Sequence, residues 1–112
     1  YLTVDFSDHQ SMGIYERIKS KLRSLDGTIY ILVNNVGYSA DLPQFFVNYE
    51  EDYHMRVINT NIVSVTMMCA LVLPIMINNQ SVSSNYKGIV INVSSMAGVA
   101  EYPLYSTYSS CK

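Results

Sequence analysis

Tyr108 and Lys112, in the stretch Tyr108-Ser-Ser-Cys-Lys112, place a phenol and an ammonium one helical turn apart. Residues at i and i+4 of a helix have Cβ atoms roughly 5 to 6 Å apart, so the lysine charge favours the tyrosinate over the neutral phenol. A free tyrosine side chain titrates near about 10, and a neighbouring cation lowers that toward the range useful for acid/base work. Ser95 closes the run Gly88-Ile-Val-Ile-Asn-Val-Ser-Ser95, which reads as a buried strand with the serine hydroxyl at its carboxyl end. Ligands of open α/β sheets bind in the crevice at that end. A hydroxyl, an acid/base phenol and a lysine converging there suit hydride chemistry at a carbonyl carbon.

The elements that must carry these groups follow from patterning. Tyr1 to Asp5 alternates and is rich in β-branched residues, which suggests the end of a strand. Ser7-Asp-His-Gln10 fits a capping box, with Ser7 as N-cap and Gln10 at N3. The helix after it carries Ile14, Ile18, Leu22 and Leu25 on one face, and Gly27 is placed to end it. His9, near the start of that helix, has no partner for chemistry and is expected at the surface. Thr28 to Val33 is an apolar run of the kind that forms a central parallel strand buried on both faces. Asn34-Asn-Val-Gly37 closes it; two amides can pin the sheet, and Gly37 lets a ligand approach the main chain. Tyr38 to Tyr49 reads as a loop at the rim of a substrate entrance.

From about Glu50 a long helix is expected, its acids Glu50, Glu51 and Asp52 near the positive end of the helix dipole. Ile58, Ile62, Val65, Cys69 and Leu73 form one stripe, and Val63, Met67, Ala70 and Leu71 make the remainder apolar. A helix apolar on most sides is buried on more than one side, which predicts a second subunit against residues 50–77. Pro74 marks a kink or the approach of the helix end, and Asn78 to Lys87 reads as a polar loop.

These motifs together resemble the short-chain dehydrogenase/reductase family. That family pairs Y-x-x-x-K with a serine 13 residues before the tyrosine, the spacing of Ser95 and Tyr108. It carries N-N-A-G after an earlier strand, where this chain has Asn34-Asn35-Val36-Gly37, and a helix asparagine in the context N-x-x-x-V, matched by Asn61-Ile-Val-Ser-Val65. The valine within the Asn-Asn motif and the later Val-Leu-Pro-Ile-Met most resemble the 17β-hydroxysteroid dehydrogenases related to very-long-chain 3-oxoacyl-CoA reductase. The resemblance implies a catalytic set of Asn61, Ser95, Tyr108 and Lys112, and cofactor contacts from Asp5, Asn34, Asn35, Gly37, Tyr108 and Lys112. It implies NADPH, with NAD not excluded, a lipid or steroid ketone as substrate, a homodimer through the long helix, and the endoplasmic reticulum membrane, with a cytoplasmic alternative. Membrane association would then come through segments outside this chain.

Plainer roles compete with these. A tyrosine with a lysine one turn on is commonly a solvated helix face, and it is the register with Ser95 and the Asn-Asn-Val-Gly stretch that favours catalysis. Tyr102 and Tyr105 are rival phenols, but their i+4 residues are Ser106 and Ser109, so they are expected to pack or to shape a substrate pocket. Ser94 points to the opposite face of the strand from Ser95, as a structural hydroxyl or a cofactor contact. Asn61 could be a satisfied polar residue of a buried helix, and Asp5 a turn aspartate.

Composition bounds the rest. A chain of 112 residues that is 49% hydrophobic has material for one small core. A net charge of −2 with seven Lys and Arg argues against a nucleic-acid surface. Two cysteines, Cys69 and Cys111, suggest neither zinc nor a disulfide framework, so no metal is expected and a reducing compartment is the simpler reading. The apolar run Met67 to Ile77 falls short of the roughly 20 residues of a membrane span.

None of the five glycines forms the glycine-rich turn that holds a dinucleotide pyrophosphate. The expected fold is therefore α/β, the central fragment of a Rossmann-like doubly wound parallel sheet. Residues 1–112 would be a partial domain lacking that turn and the C-terminal strands, inactive alone, and part of an NAD(P)(H)-dependent oxidoreductase in the intact protein. The alternative is a non-enzymatic truncated relative acting through helix pairing. A nucleotide-sugar epimerase shares the Tyr-Lys pair but fits Asn34-Asn35-Val36-Gly37 less well.

Overall fold

Two short strands run side by side and in parallel in the computed structural model, which describes residues 1–8, 13–80 and 87–112. Strand β1 is Ile31–Asn34 and β2 is Ile89–Asn92, in the register Ile31 to Ile89 through Asn34 to Asn92. A parallel pair needs a crossover. Here it is one long helical run, α2 (Glu51–Ile58), a π-helical turn (Asn59–Val63) and α3 (Ser64–Gln80). Helix α1 (Gly13–Arg23) precedes β1, and the short α4 (Ser106–Ser110) follows β2.

The apolar spacing of α1 determines its inner face: Ile14, Tyr15 and Ile18 are buried against Phe6, Met67, Met68 and Leu71. Leu32 of β1 is buried with Val72 and Met76 of α3, and Val90 of β2 packs against them. Leu22 and Met68 touch both groups, so the core is continuous. Met68 bridges two differently shaped gaps, as an unbranched thioether side chain does well.

Several expectations are corrected. Residues 1–5 form no strand: alternation makes a segment fit for a ladder, but neither β1 nor β2 pairs with it. Helix α1 ends at Arg23, and Gly27 lies beyond it at φ +123°, in the turn toward β1, a backbone shape that suits glycine. The capping box of Ser7 and Gln10 and the surface placement of His9 lie outside the described residues, as does most of the Asn78–Lys87 loop; α3 itself runs on to Gln80. Pro74 sits inside that helix, which continues past it.

The strands are not buried on both faces. Ile31, Val33, Ile89 and Ile91 stay about half exposed, because among the described residues helices cover the face bearing Leu32 and Val90 and not the other. The stripe expected along the long helix is also displaced. Ile62 and Leu73 are exposed, whereas Val57, Thr60, Asn61, Ser64, Val72 and Met76 are buried. Finally, the stretch Glu51–Asn78, at 28 residues, is long and apolar enough to cross a membrane by length and composition, which the run Met67 to Ile77 alone is not. Its contacts with α1 and β1 make it a core helix of this fold.

Candidate active site

The π-helical turn explains how an asparagine comes to be buried in an apolar helix. Within it the Ser64 amide bonds back five residues, to the Asn59 carbonyl, so the regular four-residue ladder is interrupted. Side chains of the turn and its exit donate to carbonyls four residues back. Asn61 Nδ2 donates to the Val57 carbonyl at 2.8 Å, and Ser64 Oγ donates to that of Thr60. The second Nδ2 hydrogen of Asn61 goes to the Tyr38 carbonyl at 2.7 Å, and its Oδ1 accepts the Tyr38 amide at 3.3 Å. Asn61 thus clamps the backbone just past Gly37 while remaining 4% exposed.

Gly37 is where that clamp meets the lysine. A Cβ built on Gly37 would stand 3.3 Å from Lys112 Nζ and 3.4 Å from Asn61 Oδ1. A side chain there would press on both groups. Lys112 Nζ also lies 5.8 Å from the centroid of the Tyr108 ring, at cation–π distance. The backbone of Lys112 is fixed by Ser94, whose Oγ donates to the Lys112 carbonyl at 2.6 Å, and by close packing against Gly98. Ser94 therefore acts as a structural hydroxyl.

Ser95 follows β2 in extended conformation and caps a short 3-10 turn, Met96–Gly98. Its Oγ accepts the Ala97 amide at 3.2 Å, which leaves the hydroxyl hydrogen free to donate. Ser95 and Tyr108 line one cleft of about 280 Å³ with Ser39, Met96, Tyr102 and Tyr105. The rival phenols are thus walls of the cleft: Tyr102 packs edge-on against Tyr105 at 5.4 Å, and Tyr105 against Tyr108 at 6.5 Å.

A second, larger groove of about 540 Å³ runs between residues 2–7 and the end of β1, with Asp5, Gly37, Tyr38, Arg56 and Thr60 among its walls. Asp5 accepts the Ser7 amide at 2.9 Å, and that bond, with a further contribution from the Ser7 hydroxyl, holds its carboxyl below the usual range. Arg56 lies 5.0 Å from the Tyr38 ring centroid. Thr60 has a buried Oγ1 with no hydrogen-bond partner among the described residues. The groove sets apolar walls at Leu2, Val4, Phe6 and Val36 beside the charges of Asp5 and Arg56 and a glycine that leaves the main chain open, a mixed lining that fits a nucleotide-sized ligand.

The two adjacent asparagines divide their roles. Asn34 is buried, and its Nδ2 donates to Asn92 Oδ1 at 2.8 Å and to Cys69 Sγ at 3.4 Å, so it pins β1 to β2 and α3. Asn35 is exposed and lines a small cavity with Phe6, Val36 and Ser64. Of the residues singled out in the sequence, Ser95 with Tyr108, Lys112 with Asn61, and Asp5 with Gly37 are brought together. The π-helical turn, Arg56 and Thr60 were not anticipated; the polar run Asn59-Thr60-Asn61 inside an apolar helix was the one visible signal of the turn.

A family model described as short chain dehydrogenase matches residues 1–112. Very-long-chain 3-oxoacyl-CoA reductase-B of Danio rerio is 41% identical over 108 residues, covering 95% of this chain and 32% of the relative. Very-long-chain 3-oxoacyl-CoA reductase of Homo sapiens is 39% identical over 113 residues, covering 99% of this chain and 33% of the relative. The chain thus spans about a third of the length of these relatives. A crystal structure of a gluconate 5-dehydrogenase from Burkholderia cenocepacia J2315, in complex with NADP and tartrate, superposes with a TM-score of 0.75 at 23% identity, over 97% of this chain and 38% of that one. The parallel pair and its helices are accordingly part of a Rossmann-like α/β fold.

Proposed function

Because the chain belongs to the short-chain dehydrogenase family, we propose that the protein containing it reduces a ketone to a secondary alcohol with NADPH, or runs the reverse. The observation that carries this reading is the cleft shared by Ser95 and Tyr108, with Lys112 Nζ beside the Tyr108 ring and adjacent to Gly37.

When bound, the nicotinamide supplies hydride to the carbonyl carbon. Ser95 donates its free hydroxyl hydrogen to the carbonyl oxygen, and Tyr108 gives that oxygen a proton, so hydride and proton together convert C=O to CH–OH. The Lys112 ammonium would offset the negative charge left on the phenol oxygen and would hold the nicotinamide ribose. Asn61 holds the Gly37–Tyr38 backbone; with both Nδ2 hydrogens engaged, Oδ1 is the atom that would hold a water relaying protons toward Lys112. Asp5 and Gly37, with Arg56 and Thr60, would form the nucleotide groove, Asn35 would border it, and Asn34 would act by holding the strand end.

The similarity to very-long-chain 3-oxoacyl-CoA reductases favours a 3-oxoacyl-CoA substrate, with a ketosteroid as the related choice. It also favours the endoplasmic reticulum membrane, reached through segments outside residues 1–112. Exposed Ile62, Leu73 and Ile77 on the long helix support a homodimer along that side. Residues 1–112 are then the middle of a domain whose phosphate-binding turn lies elsewhere in the protein. The test is steady-state reduction of a long-chain 3-oxoacyl-CoA by the whole protein, followed by loss of NADPH fluorescence. A loss of about 10²- to 10⁴-fold in turnover with Tyr108→Phe is expected. No turnover with any ketone and either NADPH or NADH would refute the reading.

A further inference from the structure

Tyr108 is carried on a helix of only five residues, far below the length at which a helix sustains itself. Something outside α4 must therefore set its rotation. At its C-terminal side, Ser94 holds the Lys112 carbonyl. Before the tyrosine, Thr107 leaves the helix about 100° around from the phenol. Thr107 is 9% exposed, and its Oγ1 lies 2.8 Å from Nδ1 of His54 on α2.

The imidazole of His54 is itself confined. The Phe46 ring lies 4.5 Å away, and Tyr53 and Tyr49 stand edge-on to it at 5.4 and 5.9 Å. Tyr49 extends the box toward the substrate cleft, its hydroxyl lying within reach of the Leu104 carbonyl at 3.4 Å. Leu104 holds a φ of 70°, a strained shape for a side chain of its size, between the cleft residues Tyr102 and Tyr105. His54 also stands one helical turn before Val57, whose carbonyl takes the Asn61 amide. One turn of α2 thus reaches Asn61 through Val57 and Tyr108 through Thr107.

We propose that His54 is a positioning residue for the reduction, its Nδ1 contact with Thr107 setting the rotation of α4 and hence the aim of the Tyr108 phenol beside Ser95. The proposal rests on the reductase reading given above. Its physical basis is the steepness of rate with alignment: a misplacement of about 1 Å can cost on the order of 10²-fold.

Chemistry distinguishes this role from packing. His54→Phe fills the aromatic box without a polar atom, and His54→Asn returns a polar atom near the Nδ1 position. His54→Gln places one farther out, near the Nε2 position. Thr107→Val removes the hydroxyl, and Thr107→Ser keeps it. In the whole protein with NADPH and a long-chain 3-oxoacyl-CoA, His54→Phe, His54→Gln and Thr107→Val are expected to lower kcat about 10- to 100-fold. KM should stay within about 2-fold, since ground-state binding is untouched. His54→Asn and Thr107→Ser should recover most of the loss, and the double variant H54F/T107V should be no worse than the poorer single one. Wild-type kcat in His54→Gln or Thr107→Val, or losses that multiply in the double variant, would overturn the positioning role. If His54→Phe fails to fold, as circular dichroism would show, the contrast between His54→Asn and His54→Gln decides. A wild-type protein without ketone reduction overturns both readings, whereas an active one indifferent to these changes overturns only this one.

Discussion

Asn34 and Asn92 stand opposite each other at the last paired position of the two strands, Nδ2 to Oδ1 at 2.8 Å. The bond joins side chains rather than main chains, so it fixes the register where both strands hand over to site loops: Asn35 to Tyr38 after β1, and Val93 to Ser95 after β2. The other Nδ2 hydrogen of Asn34 points to Cys69 Sγ and ties the same position to α3.

Asn34→Leu is expected to lower the stability of the whole protein by about 1–3 kcal/mol, the cost of losing a hydrogen-bonded buried amide. Urea unfolding of the variant against wild type measures this. A midpoint identical to that of wild type would show that the strands are held in register by other contacts.

Replacing the proposed proton donor should separate chemistry from binding. Tyr108→Phe is expected to reduce kcat by about 10²- to 10⁴-fold, the range of general acid catalysis, while NADPH binding measured by fluorescence titration stays near wild type. Retained turnover would remove Tyr108 from the reaction.

Asn61→Ala removes the two amide donors that satisfy the Val57 and Tyr38 carbonyls. Each released buried group costs about 1–3 kcal/mol, so the melting temperature should drop clearly and kcat should fall with it. Asn61→Ala protein that melts with wild type would mean that water replaces the side chain without cost.

Gly98→Ala drives a methyl against the Lys112 main chain, 2.6 Å from its carbonyl oxygen, and backbone cannot swing aside as a flexible side-chain end can. The expected cost is about 1–3 kcal/mol, read from chemical denaturation, together with weaker turnover as Lys112 shifts. Unchanged stability and rate would show that the β2 to α4 junction is looser than this packing implies.

Asp5 supplies a pH signature. Its hydrogen bond from the Ser7 amide lowers the folded-state pKa below the unfolded value. The stabilisation is therefore present above the unfolded pKa and lost as pH falls through the folded one. Asp5→Asn should differ from wild type in melting temperature at neutral pH and converge with it in acid. A difference that persists at low pH would assign the effect to something other than the carboxylate charge.

Much of this was legible in the sequence because it depends on local spacing. The four-residue interval of Tyr108 and Lys112, the placement of Ser95 after an apolar run, and Gly37 after two asparagines are each set within one element and its exit. The strands at Leu32 and Val90 follow from apolar, β-branched runs, which survive small shifts of boundary. What escaped depends on contacts between distant elements. The composition of β1 predicts burial on two faces, yet among the described residues Ile31 and Val33 are left about half exposed. A single 3.6-residue period puts Ile58, Ile62, Val65, Cys69 and Leu73 on one stripe, and of these Ile62 and Leu73 are exposed. The buried positions instead include Thr60, Asn61 and Ser64, because their polar side chains face the site and nearby carbonyls. His54 gave no signal because its partner, Thr107, is 53 residues away.

The turn at Asn59–Val63 makes one stretch of the long helix tolerant of a change in length. A five-residue loop of hydrogen bonds stores one residue more than a regular helix would, so a single deletion there lets the ladder close with both flanks keeping their rotation. His54 would stay beside Thr107, and Val72 and Met76 would stay on the sheet. The same deletion within regular α3 would turn everything beyond it by about 100°. The slack is local, a contrast that a single-residue deletion series across 59–63 and 65–71 would expose.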